Sequence, residues 1–196
     1  MRYLMMTALA ALLVTTSFAF AETPVYTGNL GCKCHKQQYE EFQNSLHAHA
    51  FDQLLAAKRS RKENKALKDV KLDPAKDYDK DPKCLECHTT GFNKPGGYSE
   101  SNMKDDLKGV GCESCHGPGS LYRVLHKEKE KTFTMAESAA LGEVYPPAEK
   151  DCRQCHDNQE SVFSGASDPK YVFDFKKRLE NGAKAWHVKR KLLYKH

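Results

Sequence analysis

Apolar positions recur at helical spacing over residues 36–58, where Tyr39, Phe42, Leu46, Ala50 and Leu54 fall near one face and predict an amphipathic helix. The run at 58–71 is so densely charged that it reads as a solvated helix or loop rather than a binding patch. Pro74, Pro82, Pro95 and the Gly96-Gly97 pair predict irregular chain through residues 73–101. Gly117-Pro118-Gly119 makes a second break, and Leu121 to Lys131 then predicts a short helix. Pro146-Pro147 sets off the next segment, and Asp168-Pro169 opens a last helical stretch to Tyr194 with Gly182 as a point of interruption. Beyond Tyr171-Val172-Phe173 there is little strand signal.

The first apolar run is of another kind. Tyr3 to Phe18 carries no charge, Arg2 stands ahead of it, Leu4 to Val14 forms an apolar stretch, and Ala19-Phe20-Ala21 is a small-x-small box. That order predicts an export signal over residues 1–21, cleaved before Glu22. A retained anchor would need about 20 apolar residues. Cys32 follows Asn29-Leu30-Gly31, well beyond the apolar stretch, so lipid attachment there is not expected. Residues 22–196 contain no Gly/Ser or Pro-repeat linker and are expected to form one domain, periplasmic or extracellular, without stable membrane insertion after cleavage.

Composition makes that domain short of core. Apolar residues are 39% of the chain against about 45–50% in ordinary globular proteins, charged residues are 29%, and the mean hydropathy is −0.73. A compact fold then needs apolar surface from something other than side chains. The formal charge is only +5, and one less without Arg2, which gives no reason to expect nucleic acid as a partner.

The eight cysteines supply the missing chemistry. They fall in four close pairs, each followed at once by histidine: Cys32-Lys33-Cys34-His35, Cys84-Leu85-Glu86-Cys87-His88, Cys112-Glu113-Ser114-Cys115-His116 and Cys152-Arg153-Gln154-Cys155-His156. Three are C-x-x-C-H, the attachment pattern of c-type haem. Two thiols a helical turn apart can each bond a haem vinyl group, and the adjacent imidazole then lies under the iron as proximal ligand. Structural disulfides would not require a histidine after every pair, and neither would zinc sites. Four haems would also supply the apolar surface that the side chains lack. The expected fold is therefore a mainly α, compact multihaem cytochrome c with irregular haem-binding loops and little sheet. In the first motif Cys34 and His35 are in register, but Gly31 stands where the first cysteine belongs and Cys32 is one residue too close. Either both thiols hold that haem in a strained loop, or Cys34 does so alone.

With His35, His88, His116 and His156 as proximal ligands, His47, His49, His126, His187 and His196 remain. A second imidazole makes a six-coordinate iron suited to electron transfer, whereas an open position suits binding of a small ligand. On a helix His47 and His49 cannot both face one haem, and His47 is nearer the apolar stripe. His196, at the terminus, reads as a surface residue.

Beyond the motifs, Leu72-Asp73-Pro74-Ala75-Lys76-Asp77-Tyr78, Gly91-Phe92, Gly96-Gly97-Tyr98 and the run from Gly109 through Cys112-Glu113-Ser114-Cys115-His116 to Gly119 are similar to the tetrahaem cytochrome c-554 family over nearly the whole chain from Glu22. The resemblance implies a mostly helical, exported electron carrier. The best-known members take electrons from hydroxylamine oxidoreductase in ammonia oxidation, so redox proteins, including a hydroxylamine oxidoreductase-like donor, are the implied partners. It further implies that His126 is the distal ligand to the haem on His35, His47 to that on His116 and His187 to that on His156, with the haem on His88 five-coordinate. The shortened first motif, an extra residue before His187 and a second histidine at position 49 depart from the family pattern. An electron carrier is expected ahead of two alternatives. One is a small enzyme converting a nitrogen oxide or hydroxylamine at the open haem; the other is a subunit of a haem polymer, an oligomer in which His49 or His196 ligates a neighbour's iron.

Overall fold

The computed structural model of the chain describes residues 22–129 and 132–181, so the expected signal segment, His187 and His196 lie outside the described residues. Helices α1 (Lys36–Gln43), α2 (Arg61–Asp69), α3 (Pro82–His88), α4 (Cys112–His116), α5 (Tyr122–Glu128), α6 (Met135–Ala140), α7 (Glu149–His156) and α8 (Phe175–Asn181) are joined by loops and short 3-10 turns. The only β features among the described residues are two isolated bridges, Thr89 with Lys108 and Ser99 with Asn102. Tyr171 to Phe173 forms no strand, because Pro169–Tyr171 closes a 3-10 turn that Asp168 caps.

The helix expected over 36–58 stops at Gln43. Ser45 N–H turns back to the carbonyl of Phe42 at 2.8 Å, and Ser45 Oγ accepts from Ala48 N–H at 3.2 Å. The carbonyl of His47 accepts from Val110 N–H at 2.9 Å, a partner more than sixty residues away. That long-range bond replaces the i→i+4 bond a helix would need, and the chain continues as 3-10 turns at Phe51–Leu54 and Ala56–Lys58.

Elsewhere local signals dominate. The charged run becomes α2 because Ser60 and Glu63 form a reciprocal capping box, and Leu67 is the buried residue that ties the helix down. Helix α3 lies inside the segment expected to be irregular. Asp81 caps it by accepting from Lys83 N–H at 3.0 Å, and Pro82 takes the first helical position, where its missing N–H costs nothing. Phe51, Leu54, Leu67, Tyr78, Leu85 and Leu107 make a core around α3. It is small, as the composition requires, and it gathers on the second motif rather than spreading through the molecule.

Helix α6 carries a second capping box, between Thr134 and Glu137, and Lys129 Nζ donates to Glu137 Oε1 at 2.8 Å. The Lys129 ammonium and then the Thr134 N–H hold the Glu137 carboxyl below its ordinary 4.5, at about 2. A depressed carboxyl adds stability above its unfolded value and loses it as pH falls through its folded one. Amide exchange in α6 is therefore expected to accelerate between pH 4.5 and about 2 in the native chain, and to be pH-flat beyond the intrinsic chemistry in Glu137→Gln. Equal acid sensitivity in both would remove Glu137 as the cause.

Candidate haem sites

Three motifs have the same local build: α3 ends on His88, α4 on His116 and α7 on His156. Helical spacing puts both cysteines of each C-x-x-C on one face, with the imidazole one residue further on. The first motif is built differently. Cys32 ends the 3-10 turn Asn29–Cys32, His35 N–H bonds to the Cys32 carbonyl at 3.0 Å, and His35 stands just before α1, where its carbonyl accepts from Tyr39 N–H at 2.9 Å.

Two of the four proximal candidates are held in the orientation that an axial ligand needs. His88 Nδ1 lies 2.6 Å from the carbonyl of Ala50, and His116 Nδ1 lies 3.1 Å from that of Val144. A carbonyl only accepts, so Nδ1 carries the proton and Nε2 keeps its lone pair for a metal. Burial lowers the pKa of His88 and His156. His47 is pushed down to about 4, first by burial and then by the charges of His156 and His88. These three imidazoles are thus kept neutral, the form that ligates. The donor set fits haem iron.

The distal candidates are placed unevenly. The His47 ring stands 5.8 Å from that of His156, tilted by 55°, whereas the resemblance pairs His47 with the haem on His116. His126 stacks on Phe133 at 4.1 Å, and its Nε2 is 2.9 Å from Ser138 Oγ and 3.3 Å from Glu143 Oε2. Those bonds occupy Nε2 of His126. His49 is exposed, donates from Nε2 to the carbonyl of Gln43 at 3.0 Å and pairs through Nδ1 with Asp52. No local pattern marks the stacking of Phe133 on His126, or that of Phe173 on His156 at 4.7 Å.

None of the eight cysteines is paired in a disulphide. Their sulphurs meet across motifs: Cys32 with Cys112, and Cys87 with Cys155, are in hydrogen-bonding contact, and Cys115 and Cys152 are close enough for their charges to interact. The first motif therefore adjoins the third, the third the fourth and the fourth the second. Burial pushes the thiols of Cys84 and Cys115 up to about 11. Among the described residues no three or more His, Cys, Asp or Glu side chains converge as a metal cage would require.

Helix α4 is where these parts join. Its one buried residue is Glu113, between the two cysteines and 1% exposed. The Glu113 carboxylate accepts from Thr27 N–H at 2.9 Å, Thr27 Oγ1 at 2.9 Å, Gly28 N–H at 2.7 Å and Gly119 N–H at 2.6 Å. Gly28 can present its N–H because it adopts φ +85°, which side-chain-bearing residues rarely do. Asn29 Oδ1 accepts from Cys112 N–H at 3.0 Å, and buried Thr90 accepts from Gly111 N–H at 2.9 Å. One short helix thus fastens the N-terminal segment, the chain after the second motif and the loop after its own histidine. Glu113 occupies a variable position of C-x-x-C-H, where sequence reasoning looks for nothing.

Comparison with known proteins agrees with this build. The family described as cytochrome c554 and c-prime matches residues 31–117. Cytochrome c-554 of Nitrosomonas europaea is 34% identical over 204 residues, covering 94% of this chain and 84% of the relative. The solved structure of the reduced state of cytochrome c554 from Nitrosomonas europaea superposes with a TM-score of 0.76 at 32% identity, covering 90% of this chain and 91% of that one.

Proposed function

Because the chain belongs to the cytochrome c-554 family, we propose that it carries electrons in the periplasm from a hydroxylamine oxidoreductase-like dehydrogenase to an acceptor protein. It is a multihaem c-type cytochrome that binds four haems and exchanges electrons with redox partners. No described helix is long and apolar enough to cross a membrane. In this reading residues 1–21 are removed on export and 22–196 form the haem-bearing unit. Cys84 and Cys87, Cys112 and Cys115, and Cys152 and Cys155 would hold three haems above His88, His116 and His156, and Cys32, Cys34 and His35 serve the remaining one. His47, His126 and His187 serve as distal ligands.

The observation that carries the reading is the orientation of His88 and His116, whose Nδ1–H groups are taken up by backbone carbonyls. Haem iron supplies a one-electron couple, and imidazole on both sides keeps its geometry nearly unchanged between oxidation states. The chain's residues fix the ring planes, exclude water and set the spacing. The contacts of motif one with three and of four with two, and the nearness of three to four, support a relay in the order one, three, four, two, because transfer between redox centres weakens steeply with distance.

Intact mass of the exported protein is expected to equal the chain from Glu22 plus four haem units, and a hydroxylamine-oxidising dehydrogenase should reduce it with its own substrate present. A count below four haems would overturn the attachment scheme. Full haem loading with no reduction by such a dehydrogenase would overturn the donor assignment.

A further inference from the structure

The first motif lacks a cysteine where the other three have one, and counting back from His35 the vacant register position is Gly31. A Cβ built on Gly31 would fall on Nη1 and Cζ of Arg123. The guanidinium of Arg123, reaching over from α5, fills the space in which the missing side chain would begin. It is held there, since Arg123 donates to Thr27 Oγ1 at 2.6 Å and that hydroxyl donates to Glu113 Oε1 at 2.9 Å. A planar cation in that position also offsets the buried Glu113 charge through one intervening hydroxyl. The two thiols of the motif are unlike each other. Cys32 closes the 3-10 turn with its sulphur against Cys112 of the third motif, while Cys34, next to His35, is exposed.

We propose that Arg123 takes the place of the absent cysteine, fastening the first motif to the third through Thr27 and Glu113, and that Cys34 alone bonds the first haem while Cys32 stays a thiol. The inference rests on the haem reading above. In the bond-forming step the Cys34 thiol adds across one vinyl group. The carbon–sulphur bond forms, the S–H bond and the vinyl π bond break, and the hydrogen goes to the other vinyl carbon, so no oxidant or reductant is consumed. The second vinyl group stays intact. Arg123 acts as a positioning residue, replacing a covalent tether with a charge-assisted one.

Denaturing the reduced holoprotein and alkylating it should label one cysteine per chain, Cys32. The reduced pyridine haemochromogen band should be displaced to longer wavelength, because one vinyl group remains conjugated. Gly31→Cys alone should raise the label to two thiols, since Arg123 blocks the new side chain from the haem. Gly31→Cys combined with Arg123→Ala should bring the label back to one, at Cys32, and return the band to the position of fully bonded haem c. Arg123→Ala alone should lower loading of the first haem, seen as a fraction of three-haem chains labelled at both Cys32 and Cys34, and unchanged loading would overturn the positioning role. Four haems with no labelled thiol in the native protein would overturn the inference, as would Gly31→Cys behaving like the double variant. Three haems with two labelled thiols in the native protein would instead overturn the haem reading of the first motif. If the double variant fails to fold, the native thiol count still decides.

Discussion

Replacing Glu113 with alanine is expected to destabilise the holoprotein by about 3–5 kcal/mol, the range for removing one member of a buried charged network. The carboxylate is 1% exposed and accepts from three backbone N–H groups, of Thr27, Gly28 and Gly119, and from one hydroxyl. Truncation leaves those donors buried without acceptors, at roughly 1–3 kcal/mol each before relaxation. For a chain of this size the melting temperature should fall by about 6–20 °C, read by far-ultraviolet circular dichroism on protein that still carries its haems. Glu113→Gln should fall between the two, because its amide keeps one acceptor oxygen but turns a second donor toward groups that also donate. A loss under about 1 kcal/mol for the alanine variant would show that the clasp is not a structural bond of the holoprotein.

The irons are expected to divide into one high-spin and three low-spin centres. Proximal and distal histidines together number seven in the scheme above, and the haem on His88 is left with a single imidazole. Ferric electron paramagnetic resonance should show that one high-spin signal, and only that site should take up nitric oxide. His126→Ala should double both the high-spin intensity and the nitric oxide uptake, by opening the haem on His35. His49→Ala should change neither, since its ring is spent on the Gln43 carbonyl and Asp52 at the surface. Four low-spin irons in the native protein would overturn the assignment of an open site on His88.

The motifs were legible because their chemistry lies in adjacent residues: cysteines a turn apart with a histidine behind them need no tertiary information to be read. The capping residues carry no such mark: Pro82, which reads as part of irregular chain, instead starts α3 behind Asp81. Asp168-Pro169, read as the start of a long helix, opens only a 3-10 turn before α8. What could not be read depends on distant partners. The helix expected over 36–58 ends at Gln43, and past its end Val110 N–H bonds to the His47 carbonyl, a contact that no periodicity within 36–58 carries. Glu113 is hidden for the same reason. As a variable residue between two cysteines it looks solvated, and only the approach of Thr27, Gly28 and Gly119 turns it into an interior group. The sequence flagged Gly31 as an anomaly, but the arginine that fills the gap lies ninety-two positions along the chain, with no local mark of its role.

The clasp on Glu113 also sets an order of events as the chain is made. Thr27 and Gly28 are synthesised first, and their carboxylate follows about eighty-five residues later. Until Glu113 and Gly119 emerge, the leading segment with the first motif is an open, unclosed strand of chain, accessible to whatever machinery attaches its haem. Emergence of the third motif then closes the loop across the second, and the entropy lost in joining ends so far apart grows only slowly with the length between them. A protein built this way remains unfinished at its front until its middle has been delivered, which leaves its earliest cofactor site open longest.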